Sequence, residues 1–466
     1  MHRRQLDTLK DWLRSPYRKP LVIRGARQVG KSTLVELLAG EDDVDAELFA
    51  VNLERYPQLA QAFNDSHPRE MLNLMQALTG APALSDRSML FLDEIQAAPA
   101  AFPMLRYFLE DMPELPVIAA GSLMEFLLSS HSFPMPVGRV EYLNMGPMTF
   151  TEFLAGIGES ALAEEIGGFE FDPTGEAPES PHPLVHKRLL ELLKLYLFVG
   201  GMPEAVRVYA ETRDLNAVSG VHASIIETYR DDFPKYAARR DLTRMLGVFN
   251  FAAMQVGRKV KYSNIFPDQQ SATLRRDIDI LAMARVISRV THSHCSGLPL
   301  QADLKENFFK LIFLDVGLMN AVCGLNWATI SGQTDTRLVN EGTNAEQFVG
   351  QHLSEMLAQR PNRELTYWLR EGRSNNAEVD YVAEFGGRIV PIEVKAGRAG
   401  ALKSLHQFAA EKRPDLAVRF HLAEPSVQMI EARAVTASGA TPVRYRLLSL
   451  PLYLVERLPS LVDRVG

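Results

Sequence analysis

Eight residues near the amino terminus, Gly25-Ala26-Arg27-Gln28-Val29-Gly30-Lys31-Ser32, have the types and spacing to cradle a phosphate. Glycines at the first and sixth positions permit a tight loop. Its backbone N–H groups would converge at a helix start, where the dipole favours an anion. Lys31 can reach the β- and γ-phosphates of a nucleotide, and the Ser32 hydroxyl can ligate Mg²⁺. Thr33 completes the expected cofactor-binding stretch. Further along, MLFLDE (89–94) ends an apolar run on two acids. Asp93 can hold the Mg²⁺ through water, and Glu94 can orient or deprotonate an attacking water. That neighbour favours hydrolysis over transfer to a second substrate, so the pair of motifs predicts an ATP- and Mg²⁺-dependent hydrolase.

Two single residues carry two readings each. Ser122 ends the next apolar strand and is placed to sense the γ-phosphate or its water. It is equally a serine of an ordinary strand–loop turn. Arg139, in VGRVEYL, could complete the site of a neighbouring subunit as an arginine finger, which implies a homo-oligomer. The other reading is a surface ion pair.

A separate constellation lies near the carboxyl end, in EVDYVAEFGGRIVPIEVKAG (378–397). Asp380 is on one expected strand, and Glu393 and Lys395 are on the next. Alternation puts positions i and i+2 on one face, so Glu393 and Lys395 point together, across a hairpin-like pair from Asp380. Two carboxylates make an oxygen-rich Mg²⁺ site, and the lysine can orient water or stabilise charge. Glu346, on the preceding helix, could add a third carboxylate.

These residues need elements to position them. Residues 19–150 alternate apolar runs with helix-like segments, the pattern of a parallel α/β sheet. Strands are expected at 21–25, 47–53, 89–93 and 116–122, with a helix from about Lys31 to Leu38. The stretch 156–183 is rich in Gly, Pro, Glu and Ser and reads as a surface excursion or linker. Helical periodicity returns at 186–201. From about Asp241 to Leu325 the pattern is three helices and a short β pair, compatible with a winged helix. A helix at 344–358 and strands around ELTYWL, EVDYVAEF and RIVPIEVKA form a second α/β unit. The expected domains are therefore 1–155, 156–240, 241–340 and 341–466.

Composition excludes several classes. With 46% hydrophobic and 23% charged residues the chain is an ordinary globular one, and 466 residues exceed a single core. No run is long and apolar enough to cross a membrane. The first twenty residues lack an apolar signal segment. Two cysteines, Cys295 and Cys323, have neither metal spacing nor disulfide density, so a reduced, cytoplasmic setting is expected. Net charge is -7, yet Lys235–Leu300 holds 11 Lys/Arg against 4 Asp, a local +7. Such a segment is a candidate DNA surface, with Lys261, Arg275 and Arg276 as phosphate contacts, or else a solvated face.

RKPLVIRGARQVGKSTL, MLFLDEIQ, AAGS, VGRVEYLNMGPMTFTEFL and YLFVGGMPEAV together resemble the AAA-related prokaryotic ATPases that carry a C-terminal domain of unassigned function. The resemblance implies a P-loop NTPase sheet, a winged-helix region, whose match includes KLIFLDVGLMNAVCGL (310–325), and a nuclease-like α/β domain. The family's Gly-Arg pair falls on Gly138–Arg139. Its GGxPE segment falls on Gly200 to Glu204, with no role evident from the residues. The carboxy-terminal motif is similar to the D…E-x-K signature of the restriction-endonuclease-like superfamily, on Asp380, Glu393 and Lys395, with the helix acid on Glu346. Two functions follow as expectations: an ATPase acting on nucleic acid, or a nucleotide-switched, partner-binding protein with an inert nuclease fold.

Overall fold

The structure is a computed structural model describing residues 2–65, 67–81, 84–122, 124–129, 138–170, 181–235, 241–325, 327, 341–359, 364–370, 377–395, 397, 402–436 and 439–465. The chain forms two compact units, one of Met1–Gly146 with Met283–Arg285, the other of Pro147–Ala282 with Val286–Gly466.

In the first unit, β1 (Leu21–Arg24), β2 (Glu47–Asn52), β3 (Ser88–Asp93), β4 (Val117–Gly121) and β5 (Glu141–Asn144) form one sheet in the order β2-β3-β4-β1-β5. Every pairing in it is parallel. β1, β3 and β4 are apolar and buried over most of their length, as expected where helices cover both faces. Val22, Val51 and Leu92 meet Phe102, Leu105 and Phe108 of the helix Ala101–Asp111 in the main core. Parallel strands end at the same sheet edge, so the loops after β1, β3 and β4 share one rim. The sequence pattern located four of the strands; β5, EYLN, is too polar and too exposed to announce itself.

The second unit begins with helices. Thr149 caps the helix Phe150–Gly156 in a capping box with Glu152. Phe150 and Phe153 pack around Tyr196 and Phe348. The segment Pro147–Gly156, grouped by sequence with the nucleotide domain, thus packs in this unit. Within the supposed excursion, Ser160–Gly168 is helical, while residues 171–180 lie outside the described ones. Longer helices follow at Pro183–Val199, Pro203–Thr212 and Leu215–Asp232.

Of the three helices expected ahead of the β pair, two are described there, Leu242–Met254 and Ser271–Met283, with a 3-10 turn at Tyr262–Asn264 between them, while a third, Val316–Val322, follows the pair. The β pair after them, β6 (Ile287–Ser293) and β7 (Leu304–Phe313), is no separate wing. It joins β8 (Thr366–Arg370), β9 (Ala377–Phe385), β10 (Arg388–Val394), β11 (Leu416–His421), β12 (Ser426–Thr436) and β13 (Gly439–Pro451) in one mixed sheet of order β12-β13-β11-β10-β9-β8-β6-β7. β9 and β10 turn on Gly386-Gly387, both at positive φ, as a two-residue hairpin requires.

The GGxPE segment has a packing explanation. Gly200 (φ 72°) and Gly201 lie against the buried Asp315, whose Oδ2 accepts from Gly201 N at 2.6 Å and whose Oδ1 accepts from Leu318 N at 3.0 Å. A Cβ on Gly200 would sit 2.1 Å from Oδ1. Pro203 then opens the next helix at a position that needs no N–H.

Candidate functional site

The loop 25–32 joins β1 to the helix Lys31–Ala39. Gln28 (φ 62°) and Gly30 (φ 92°) are both left-handed, which bends the backbone round the phosphate position. Gly25 admits no side chain, since a Cβ there would lie 2.2 Å from Met145 O, just past β5. Ala26 and Val29 are buried anchors, Arg27 is half-buried, and Gln28 and Thr33 are exposed. The loop is also stapled by Arg3, which donates to Val29 O at 3.1 Å and to Gly146 O at 2.7 Å. Nothing in its sequence neighbourhood marks that residue.

Lys31 is only 8% exposed, and its Nζ donates to Gly25 O (3.1 Å) and Ala26 O (2.7 Å). Burial pushes its pKa down to about 8, partly offset by the Glu94 and Asp93 charges. Such a buried cation lacks a full counter-charge, the condition under which a phosphate is welcome. Ser32 Oγ donates to Asp93 Oδ2 at 3.0 Å, and Asn52 Nδ2 reaches the same oxygen at 3.3 Å. Asn52 stands opposite Asp93 in the β2–β3 register and was not foreseen. Burial, then the neighbouring Glu94, raises the Asp93 pKa. A hydroxyl and a carboxylate meeting there are hard oxygen donors of the kind Mg²⁺ takes, so the residues fit that ion.

Glu94 stands at φ 51°, a left-handed conformation that a non-glycine residue adopts at some cost. Its Oε2 accepts from Gln96 Nε2, and Gln96 Oε1 lies where a Cβ on Gly121 would be, 2.3 Å away. Gln96 therefore links the acid to the end of β4, a role not anticipated from sequence. Ser122 follows immediately, and its buried Oγ has no hydrogen-bond partner among the described residues. Arg285 is a further addition. It donates to Glu125 Oε1 and Asn144 Oδ1, both at 2.8 Å, and its charge helps lower the Lys31 pKa. Arg139 is half exposed, with Nη2 3.5 Å from Glu110 Oε1.

In the second unit Glu346, Asp380, Glu393 and Lys395 do come together, and two unforeseen residues join them. Lys310, on β7 and 1% exposed, has Nζ 2.5 Å from Glu378 Oε1, 3.6 Å from Asp380 Oδ1 and 3.7 Å from Glu346 Oε2. Asp380 Oδ2 accepts from Val394 N at 2.8 Å, and Lys395 Nζ is paired with Glu393 Oε1. Burial and the Asp380 charge raise the pKa of both Glu346 and Glu393. Burial pushes Lys310 down, but the Asp380, Glu346 and Glu378 carboxylates outweigh it and hold the ammonium above its ordinary range. The lysine in FFKLIF, charged within an apolar strand run, was the available signal.

The basic segment is largely neutralised in space. Arg244 pairs with Asp241 and Asp277, Arg275 with Glu306, and Arg289 with Asp279. Lys261 and Arg276 are exposed. Residues 236–240, which hold Arg239 and Arg240, lie outside the described ones.

A phosphate-cradling loop and a Ser–Asp pair on the rim of this parallel sheet define a P-loop nucleoside-triphosphatase fold. Residues 17–154 match the family model described as an AAA domain. Residues 190–329 and 341–436 match two models described as domains of unknown function, DUF8612 and DUF4143. The chain thus carries an N-terminal AAA-family P-loop ATPase domain followed by two domains of unknown function. No curated protein matches the chain. Among solved structures it is similar to the Aeropyrum pernix ORC2 protein, at 12% identity over 70% of this chain and 94% of that one, TM-score 0.35. A signal-transduction ATPase with numerous domains from Pyrococcus horikoshii matches at 12% identity over 78% and 46%, TM-score 0.25. The Thermotoga maritima RuvB Holliday junction branch migration motor matches at 13% over 61% and 87%, TM-score 0.24. No described helix is long and apolar enough to cross a membrane.

Proposed function

We propose that the protein hydrolyses Mg²⁺-bound ATP and that the nucleotide cycle switches its grip on a partner. The carrying observation is Glu94, which directly follows the Ser32-bonded Asp93 and is held through Gln96 against the end of β4. In this reading Lys31 leaves its loop carbonyls for the β- and γ-phosphates, Ser32 and Asp93 hold Mg²⁺, and Glu94 polarises the attacking water. Ser122 offers an unpaired hydroxyl to the γ-phosphate or that water. Steady-state hydrolysis by wild type and Glu94→Gln tests the reading. The variant should keep nucleotide affinity and lose about 10²–10⁴-fold in turnover, the usual contribution of a positioned base. Wild-type turnover in the variant removes Glu94 from this role.

Arg139 in this account completes the site of a second copy. Its partner Glu110 is an exposed-side ion pair that an incoming phosphate charge can outcompete. Arg139→Ala and Lys31→Ala proteins, each weak alone, should recover activity on mixing, since each keeps the half-site the other lacks. No recovery in an assembled mixture counts against action in trans. Among the described residues of the basic segment, the exposed Arg258, Lys261 and Arg276 favour a nucleic-acid partner. DNA added to the same hydrolysis assay tests it: stimulation that falls with salt supports it.

A further inference from the structure

The D…E-x-K resemblance implies a divalent metal between Asp380 and Glu393, and the residues present do not fit one. An ion there needs several oxygens with lone pairs turned towards a shared point. Asp380 instead commits Oδ2 to the Val394 N–H, while Oδ1 faces the Lys310 ammonium. Glu393 commits Oε1 to Lys395. Glu346 faces Lys310 through Oε2, and backbone fills the space beside that oxygen: a Cβ on Gly257 would lie 2.3 Å from it. Among the described residues no three His, Cys, Asp or Glu side chains converge in metal-holding geometry.

We infer that Lys310 is the resident cation of this cluster, its ammonium standing among Glu346, Glu378 and Asp380 beside the position a divalent ion would otherwise take. The lysine is built in by fold. It lies on β7 in register with Val290, inside the apolar end of the strand, and cannot leave for solvent without unpacking that end. A fixed positive charge 3.6 Å from Asp380 Oδ1 and 3.7 Å from Glu346 Oε2 repels a second cation from those oxygens. The cluster therefore already holds one cation against three of its carboxyl groups, and this half of the chain works as a binding body without metal-dependent cleavage. The inference does not depend on the reading of the P-loop.

Calorimetric titration of Mn²⁺ into nucleotide-free wild type, Asp380→Asn and Lys310→Met tests it. Wild type and Asp380→Asn should give the same isotherm, because no ion binds at Asp380. Lys310→Met should gain about one Mn²⁺ per chain, a gain that Asp380→Asn abolishes when added to it. A wild-type site that disappears with Asp380→Asn overturns the inference. So does a folded Lys310→Met protein that gains no ion, since Lys310 is then not what excludes it. Should Lys310→Met fail to fold, wild type against Asp380→Asn decides alone: identical isotherms support the inference and a lost site overturns it.

Discussion

Two buried lysines, one in each unit, show opposite solutions to the same electrostatic problem. Lys31 donates to two backbone carbonyls, and burial drags its pKa down. Lys310 is still more buried, yet three carboxyl groups hold its pKa up. Dipoles compensate a charge only partly, so Lys31 gains when an anion arrives. Full ionic pairing leaves Lys310 nothing to gain from a ligand and much to lose from the departure of a partner. One lysine is arranged for exchange and the other for permanence.

Replacing each lysine in turn is the sharpest way to break this contrast. Lys310→Met strands buried carboxylates and should cost about 3–5 kcal/mol of stability, read by denaturant unfolding. Lys31→Met should cost clearly less, while ATP affinity falls by about 10–100-fold, the worth of a charge-assisted hydrogen bond. Equal stability losses in the two variants would erase the distinction. A smaller effect is expected at Gly200, where φ 72° and the Asp315 carboxylate both oppose a side chain. Gly200→Ala should cost about 1–3 kcal/mol in the second unit and leave nucleotide affinity unchanged. An unaltered melting profile would show that the GGxPE segment is not the packing device described above.

The two sites also differ in how far the sequence revealed them. The loop 25–32 and Asp93–Glu94 are legible because the chemistry is local: glycines, lysine and serine are adjacent, and the acids end an apolar strand. Asn52, Arg3 and Arg285 were not, because strand register or chain reversal brings them in from distant segments, and Gln96 was not because only the turn after β3 aims its amide back at Glu94. In the second unit Glu346, Asp380, Glu393 and Lys395 were legible as a set, but Lys310 changes what the set can do. Its meaning depends on a sheet that joins β6 and β7 to β8–β13, and residues 241–325 alone look like a self-contained module. The basic segment has the same limit. Charges counted along the chain ignore partners such as Glu306, which neutralises Arg275 from a different element.

The central claim, one site built to take a cation with its nucleotide and one already holding its own, is tested most directly by counting bound Mn²⁺. Paramagnetic resonance of the wild-type protein should show no tightly bound ion without nucleotide. With a non-hydrolysable ATP analogue it should show about one per chain, the ion held by Ser32, Asp93 and the phosphates. A tightly bound ion in nucleotide-free protein that survives Asp93→Asn, or none when the analogue is present, would contradict the account.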